Sequence, residues 1–291
     1  MRFRLLGAML ALALPACGGR TTPSSGTSLD DVGHRIALTQ PARRVVSLSP
    51  STTELLFAIG AGPALVGRTR WCDYPPEAAS VPSVGDGLDP NVELVVSRRP
   101  DLVVLYASAG NQSVIARLDA LGIASASLKL DRLDDLPRAT RLLGRLTGTS
   151  PRADSLAAWY QTRLDSARSA RAAPVRRVAL VVWDNPPIVI GAGSFLTEVV
   201  ALAGARNVFD DVAQPSAPTG IETITARDPD MILLLGDSVP SLGRRPEWRS
   251  VRAVRERRVM PLKGSEFERP SFRVFDAIRS LRASLAAVAQ R

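Results

Sequence analysis

The chain has 291 residues, with 37 basic and 28 acidic side chains, a formal net charge of +9, two Cys and one His. With 45% apolar residues it can fill one large core or two of about 130 residues each, an ordinary domain size. A single His excludes a His-rich metal site, two Cys exclude a thiolate zinc site, and a Ser-His-Asp triad could draw only on His34. Lys129 and Lys263 are the only Lys, and the Arg residues form neither a long run nor a stripe interleaved with aromatics, so no nucleic-acid partner is expected.

Residues 1–16 read as a secretory leader. Arg2 and Arg4 precede an apolar run, Leu5 to Leu14, that is too short to span a bilayer as a mature helix. Leu14-Pro15-Ala16-Cys17 then resembles a bacterial lipobox, in which Cys17 is lipidated and becomes the mature N-terminus. Residues 17–42 follow as a flexible tether, rich in Gly, Ser and Thr from Gly18 to Ser28. The expectation is an exported body on the periplasmic or cell-surface side, held to the membrane by a lipid anchor. Cys72 is then left without a disulfide partner.

From residue 43 onward, apolar runs of strand length alternate with helix-period segments. Arg44 to Leu48 reads as a strand. Ser51 to Ile59 reads as a helix, opened by the capping box Ser51-Thr52-Thr53-Glu54 and closed by Gly60. Asp89-Pro90 opens a second helix that ends near Arg99-Pro100. Leu102 to Tyr106 is a strand, Val114 to Leu121 a helix stopped by Gly122, and Ile123 to Leu128 the next strand. Residues 151–173 then predict one polar, Ala-rich helix, with Leu156, Trp159, Tyr160 and Leu164 at helical spacing over about 33 Å.

The order recurs after that helix. Arg176-Arg177-Val178 echoes Arg43-Arg44-Val45, and Thr197-Glu198-Val199-Val200 echoes Thr53-Glu54-Leu55-Leu56. Glu222 before Pro229-Asp230 repeats Glu93 before Pro100-Asp101. The fold expected is α/β, with two Rossmann-like lobes around central, mostly parallel sheets, joined by one long helix: residues 43–150, 151–173 and 174–291. Gly191-Ala192-Gly193 lies between a strand and a helix, but Leu196 occupies the place of the third Gly of a dinucleotide fingerprint. With no phosphate loop either, no cofactor and no metal are expected.

Several segments carry a resemblance to a known family. They are Arg44 to Pro50 with Thr53-Glu54-Leu55, Cys72-Asp73-Tyr74-Pro75-Pro76-Glu77, Asn91-Val92-Glu93 with Pro100-Asp101-Leu102-Val103, Asn185-Pro186-Pro187, and Phe267-Glu268-Arg269. Over residues 43–290 the chain resembles the substrate-binding proteins of bacterial ABC importers for cobalamin and ferric siderophores. The resemblance implies two lobes with the ligand in the cleft between them, no catalysis, and delivery to a permease dimer with its ATPase subunits. It further implies that Glu93 and Glu222 dock onto Arg residues of the permease, and that the free protein is a monomer.

Ligand contacts are expected from loops at strand ends. Trp71 and Tyr106 match aromatic cleft positions, where large rings suit a flat corrin. Tyr74 shares the turn of Trp71, Trp183 sits at a strand end, and Ser51 stands at a helix N-terminus. Arg269, in one segment with Phe267, matches a polar contact residue that could instead pair with Glu268. Gly87 and Ser216 stand at cleft positions where the cobalamin binder has Trp, and Ser265 stands where it has Asp. A corrinoid is the expected ligand. The alternatives are a ferric siderophore or haem, for which Tyr74 or Tyr106 would have to supply an axial ligand. A more remote alternative is a secreted hydrolase using Asp73, Asp86 and Asp89.

Overall fold

The computed structural model describes residues 28–170, 176–235, 242 and 245–289. The leader expected over residues 1–16 and the lipidation site at Cys17 lie outside them. The described chain opens on a small hairpin, β1 (Ser28–Leu29) and β2 (Arg35–Ile36), in the stretch expected as tether. The hairpin is fastened to the first lobe. The Asp30 carboxylate accepts the N–H groups of Val32, His34 and Ser127, and His34 Nε2 lies 3.0 Å from Asp119 Oδ2. The lone His therefore serves as a clamp between hairpin and body.

The first lobe is built on β3 (Val45–Ser47), β4 (Leu65–Arg68), β5 (Leu102–Tyr106) and β6 (Ala124–Leu128), paired in parallel in the order β4-β3-β5-β6. Buried on both faces, these strands alternate between two cores. Val45, Leu102 and Val104 belong to one; Val46, Val103 and Leu105 belong to the other. The helices are α1 (Pro50–Ala58), α2 (Val92–Ser97), α3 (Gln112–Ala120) and α4 (Asp135–Thr147).

Two helix starts differ from the sequence reading. α1 begins at Pro50, so Ser51 lies inside the helix and the capping box does not form. Proline's fixed φ and missing N–H suit the first turn, which moves the start one residue earlier. Thr53 Oγ1 instead donates to the Ser49 carbonyl, and Glu54 is drawn into ion pairs described below. α2 begins at Val92, capped by the Asn91 side chain accepting the Leu94 N–H, rather than at Asp89-Pro90.

The second lobe holds a six-stranded sheet of β7 (Arg176–Asp184), β8 (Pro187–Ile190), β9 (Ala205–Asn207), β10 (Ser216–Pro218), β11 (Met231–Leu235) and β12 (Val259–Leu262). Its order is β10-β8-β7-β11-β12, with β9 beside the start of β7. β7 runs parallel to β9 and β11, but β8 and β10 are antiparallel. The link Asn185-Pro186 is too short for a crossover, so β7 and β8 must form a hairpin. The helices are α6 (Phe195–Ala203), α7 (Ile221–Arg227), α8 (Arg252–Arg255) and α9 (Val274–Ala289).

The internal repeat is visible in bonds. Asp101 N–H donates to the Arg44 carbonyl while its carboxylate accepts the Arg44 N–H; Asp230 does the same with Arg177. The residues before the two Pro-Asp pairs, Arg99 and Asp228, both take positive φ. Gly191 and Gly193 have a packing role: a Cβ on Gly191 would lie 2.3 Å from the Gln214 carbonyl, and one on Gly193 2.6 Å from that of Ala213.

Between the sheets in the chain stands the 20-residue helix α5 (Ser150–Ser169). It folds back on α4 through Gly148, at φ +74. Tyr160 and Leu164 of α5 are fully buried in the core that also takes Val45 and Leu102 from the first sheet and Val178, Leu180 and Leu233 from the second. One apolar core thus runs through both lobes. No helix among the described residues is long and apolar enough to cross a membrane.

The α4–α5 contact is close because residue 144 is glycine: a Cβ there would meet Ala153 Cβ at 2.3 Å. Gly144→Val should destabilise the protein by about 1–3 kcal/mol through overpacking, read as a lowered urea midpoint. An unchanged midpoint would show that the helices are not packed this tightly.

Candidate functional site

A cleft of about 500 Å³ opens between the lobes. From the first lobe it is lined by Ser49–Ser51 after β3, by Arg70, Trp71 and Asp73 after β4, by Leu88, by Tyr106 at the end of β5, and by Leu130 and Asp131 after β6. These are the carboxyl ends of parallel strands, where open α/β sheets place their sites because adjacent loops diverge there. The second lobe supplies Ser194 and Phe195 at the start of α6, Pro215, and Glu268–Pro270.

Of the expected ligand residues, Ser51, Trp71, Tyr106 and Arg269 come together in this wall. Trp71 is 59% exposed, with its indole N–H 3.3 Å from Asp86 Oδ2. Asp86, which also meets Arg70 at 3.3 Å, is held below the usual carboxylate range, chiefly by the Leu88 N–H and then by the Trp71 indole. The Tyr106 hydroxyl donates to Asp131 Oδ1 at 2.6 Å. Burial first, and the Asp131 carboxylate second, push its ionisation well above the ordinary phenol range.

The other expected residues lie elsewhere. Tyr74 packs under the Arg273 guanidinium, whose carbon is 4.1 Å from the ring centroid. Phe267 is 3% exposed and belongs to the core. Trp183 lies within β7, its indole donating to the Asn185 carbonyl at 2.8 Å. Ser216 is an exposed β10 residue paired with Ile190, and its neighbour Pro215 lines the cleft instead. Gly87 has no room for a side chain, since a Cβ would meet the Leu48 carbonyl at 2.2 Å; the adjacent Leu88, 79% exposed, takes its place in the wall. Leu130, Asp131, Ser194 and Phe195 were missed by the sequence reading. Their signal was position alone, directly after a strand or at a helix start.

Arg269 pairs not with Glu268 but across the lobe boundary. Its Nε donates to Glu54 Oε1 at 2.7 Å, Nη1 to the Trp71 carbonyl at 2.9 Å, and Nη2 to the Asp73 carboxylate. Arg273 adds Nε to Glu54 Oε2 at 3.0 Å and Nη2 to Oε1 at 2.6 Å. The Glu54 side chain, 5% exposed, is thus held by two guanidinium groups of the other lobe. On the far side of the cleft, Glu198 of α6 accepts from Arg132 at 2.5 Å and Arg168 at 3.1 Å, and the Phe195 N–H donates to the Asp131 carbonyl at 2.6 Å.

Two carboxylates invoked for hydrolysis are committed to these contacts: Asp73 to Arg269, and Asp86 to Arg70 and Trp71. Among the described residues no group of His, Cys, Asp and Glu is arranged to hold a metal ion. The arrangement can enclose a ligand between two lobes that each offer apolar or aromatic surface and polar groups.

Comparison with known proteins agrees with that geometry. A family model described as periplasmic binding protein matches residues 45–265. The vitamin B12-binding protein of Salmonella typhimurium is 31% identical over 251 residues, covering 85% of this chain and 91% of that one. The crystal structure of the periplasmic vitamin B12 binding protein of Vibrio cholerae superposes with a TM-score of 0.72 at 26% identity, covering 86% of this chain and 99% of that one. The periplasmic heme-binding protein of Roseiflexus sp. RS-1, in apo form, gives 0.73 at 26% identity, covering 83% and 97%. The two-lobed α/β fold, the cleft at the strand ends and this match over most of the chain lead to one conclusion: the chain belongs to the periplasmic binding protein family, a family of solute-binding proteins and not of enzymes.

Proposed function

We propose that this protein captures cobalamin or a related corrinoid in the inter-lobe cleft and hands it to an ABC permease dimer with its ATPase subunits. The observation that carries this reading is the character of the cleft wall. Trp71, Tyr106, Leu88, Leu130, Phe195 and Pro215 offer apolar and aromatic surface, while Arg70, Asp73, Asp131 and Arg269 already have protein partners. A corrin ring presents a broad apolar face edged with uncharged amides, which the apolar part of this wall can cover, while Glu268 adds an exposed carboxylate to the lining. The 31% identity to a vitamin B12-binding protein supports the same reading.

The alternatives ask for groups that are otherwise engaged. An anionic ferric siderophore calls for unpaired cations, and the two Arg of the wall are both bonded to carboxylates. Haem calls for an axial ligand. His34 is bonded to Asp119 on the hairpin side, Tyr74 lies under Arg273, and Tyr106 donates its proton to Asp131, which opposes a tyrosinate.

Glu93 and Glu222 fit the docking role. Both occupy the first turn of repeat-equivalent helices, α2 and α7, and both are exposed. Glu93 is paired with Arg117 at 2.7 Å, a solvent-screened contact that a permease Arg can replace. Its own N–H and Arg117 hold its carboxyl below the usual range, so it stays charged. The leader over residues 1–16, lipidation at Cys17 and an exported, membrane-anchored monomer complete the proposal.

Calorimetric titration of the chain carrying Cys17→Ser with cyanocobalamin should show saturable binding, and Trp71→Ala should weaken it by about tenfold or more. Absence of heat and of any thermal shift at high ligand excess would reject the corrinoid reading. Glu93→Ala and Glu222→Ala should leave affinity unchanged and reduce uptake or permease binding; an equal loss of affinity would count against docking. In an alkaline titration followed at 295 nm, Tyr106 should stay protonated above the ordinary phenol range. Asp131→Asn should let Tyr106 ionise at a lower pH, because the carboxylate that disfavours the phenolate is gone. An unchanged titration would remove the argument against a tyrosinate ligand.

A further inference from the structure

Arg269 faces the cleft, yet three of its N–H groups are bonded within the protein, and all three bonds go to the other lobe. One acceptor is Glu54 of α1; the other two are the Trp71 carbonyl and the Asp73 carboxylate. The last two residues flank Cys72, so the guanidinium grips the loop after β4 on both sides of the thiol. Cys72 is fully buried, its Sγ 3.1 Å from Oγ1 of Thr53 and of Thr69. The Trp71 ring, by contrast, is largely exposed and has only the Asp86 contact as a hydrogen bond. The Arg70 guanidinium lies 5.7 Å from the ring centroid, and the Trp71 backbone is held by Thr69 Oγ1 and the Asp73 N–H within its own lobe and by Arg269 from the other.

We propose that Arg269 is a positioning residue: reaching from the second lobe, it presses the loop 71–73 against α1, orients Trp71 at the cleft mouth and seals Cys72. Only an arginine can do this. Its planar fork meets three acceptors in different directions, and Glu54 fixes the fork's base through Nε. The role of Trp71 rests on the cleft reading above; the grip itself does not.

The test uses the full chain carrying Cys17→Ser, in which Cys72 is the sole thiol. The rate at which an aromatic disulfide reagent modifies Cys72 reports opening of the loop, because a buried thiol reacts only from the opened state. Arg269→Lys, which keeps the charge but not the fork, should raise that rate by about tenfold or more while the melting transition persists. Asp73→Asn changes a side chain that is 64% exposed, so it should leave the fold intact and raise the rate by a smaller factor. Cyanocobalamin affinity should fall in the same order. Glu198→Gln, at the repeat counterpart of Glu54 on the other side of the cleft, should leave the Cys72 rate within about twofold of the parent.

Three results would overturn the proposal. Cys72 could stay as protected in Arg269→Lys and Asp73→Asn as in the parent. Affinity could fall with protection unchanged, which would make Arg269 a direct ligand contact. Glu198→Gln could expose Cys72 as much as Arg269→Lys does, which would make the effect a general loosening of the lobes. If the parent binds no cyanocobalamin, the corrinoid reading fails while the Cys72 rates still decide the grip.

Discussion

The Glu54 carboxylate is the point on which the two lobes are joined at the cleft. It lies in an apolar helix, 5% exposed, where an isolated negative charge could not persist. Arg269 and Arg273 supply three N–H bonds to its two oxygens, at 2.6 to 3.0 Å. A buried ion pair of this kind is weak evidence for stability when compared with an apolar replacement. Its geometry is nevertheless enforced, because removing one partner typically costs about 3–5 kcal/mol. The consequence is directional: the chain between β12 and α9 must sit where its guanidiniums reach α1, and that sets the floor of the cleft.

The same device occurs twice. Glu198 occupies in α6 the place that Glu54 occupies in α1, and it too reaches donors outside its own lobe, Arg132 and Arg168. The internal repeat thus has a carboxylate on each side of the cleft, each facing guanidiniums from outside its own lobe. Between them runs one apolar core, which holds Tyr160 and Leu164 of α5 together with buried residues of both sheets. Lobes tied by a continuous core and two ionic clasps are suited to small adjustments around a ligand. Wide hinge opening would expose apolar surface and separate buried charges together.

Much of this was legible in the sequence, and the reason is local. The strands over Val45–Ser47 and Leu102–Tyr106 announce themselves as short apolar runs, and Ala124–Leu128 as a short segment of small residues after the helix-stopping Gly122. The echo of Glu93 before Pro100-Asp101 in Glu222 before Pro229-Asp230 is a pattern of backbone turns, and the two Pro-Asp pairs make the same bonds in the fold. Trp71 and Tyr106 could be placed in the cleft through the family resemblance, and the fold sets both at strand ends. The capping box at Ser51–Glu54 failed for the opposite reason: its spacing was right, but Pro50 starts the helix and the glutamate has better partners more than 200 positions away along the chain.

The sequence by itself determined the strand–helix alternation, the duplication, the long helix between lobes and the restriction of any His-based chemistry to His34, since each is read from composition or from short local patterns and their recurrence. Only the tertiary structure decided which side chains share the cleft. Phe267 turned into the core while Leu88 faced the ligand space, Gly87 proved to be a site of close backbone approach, and Arg269 proved to be bound to Glu54, Trp71 and Asp73. Those outcomes depend on which atoms meet across the lobe boundary. That is fixed by the packing of two sheets on one core, and no spacing along the chain encodes it.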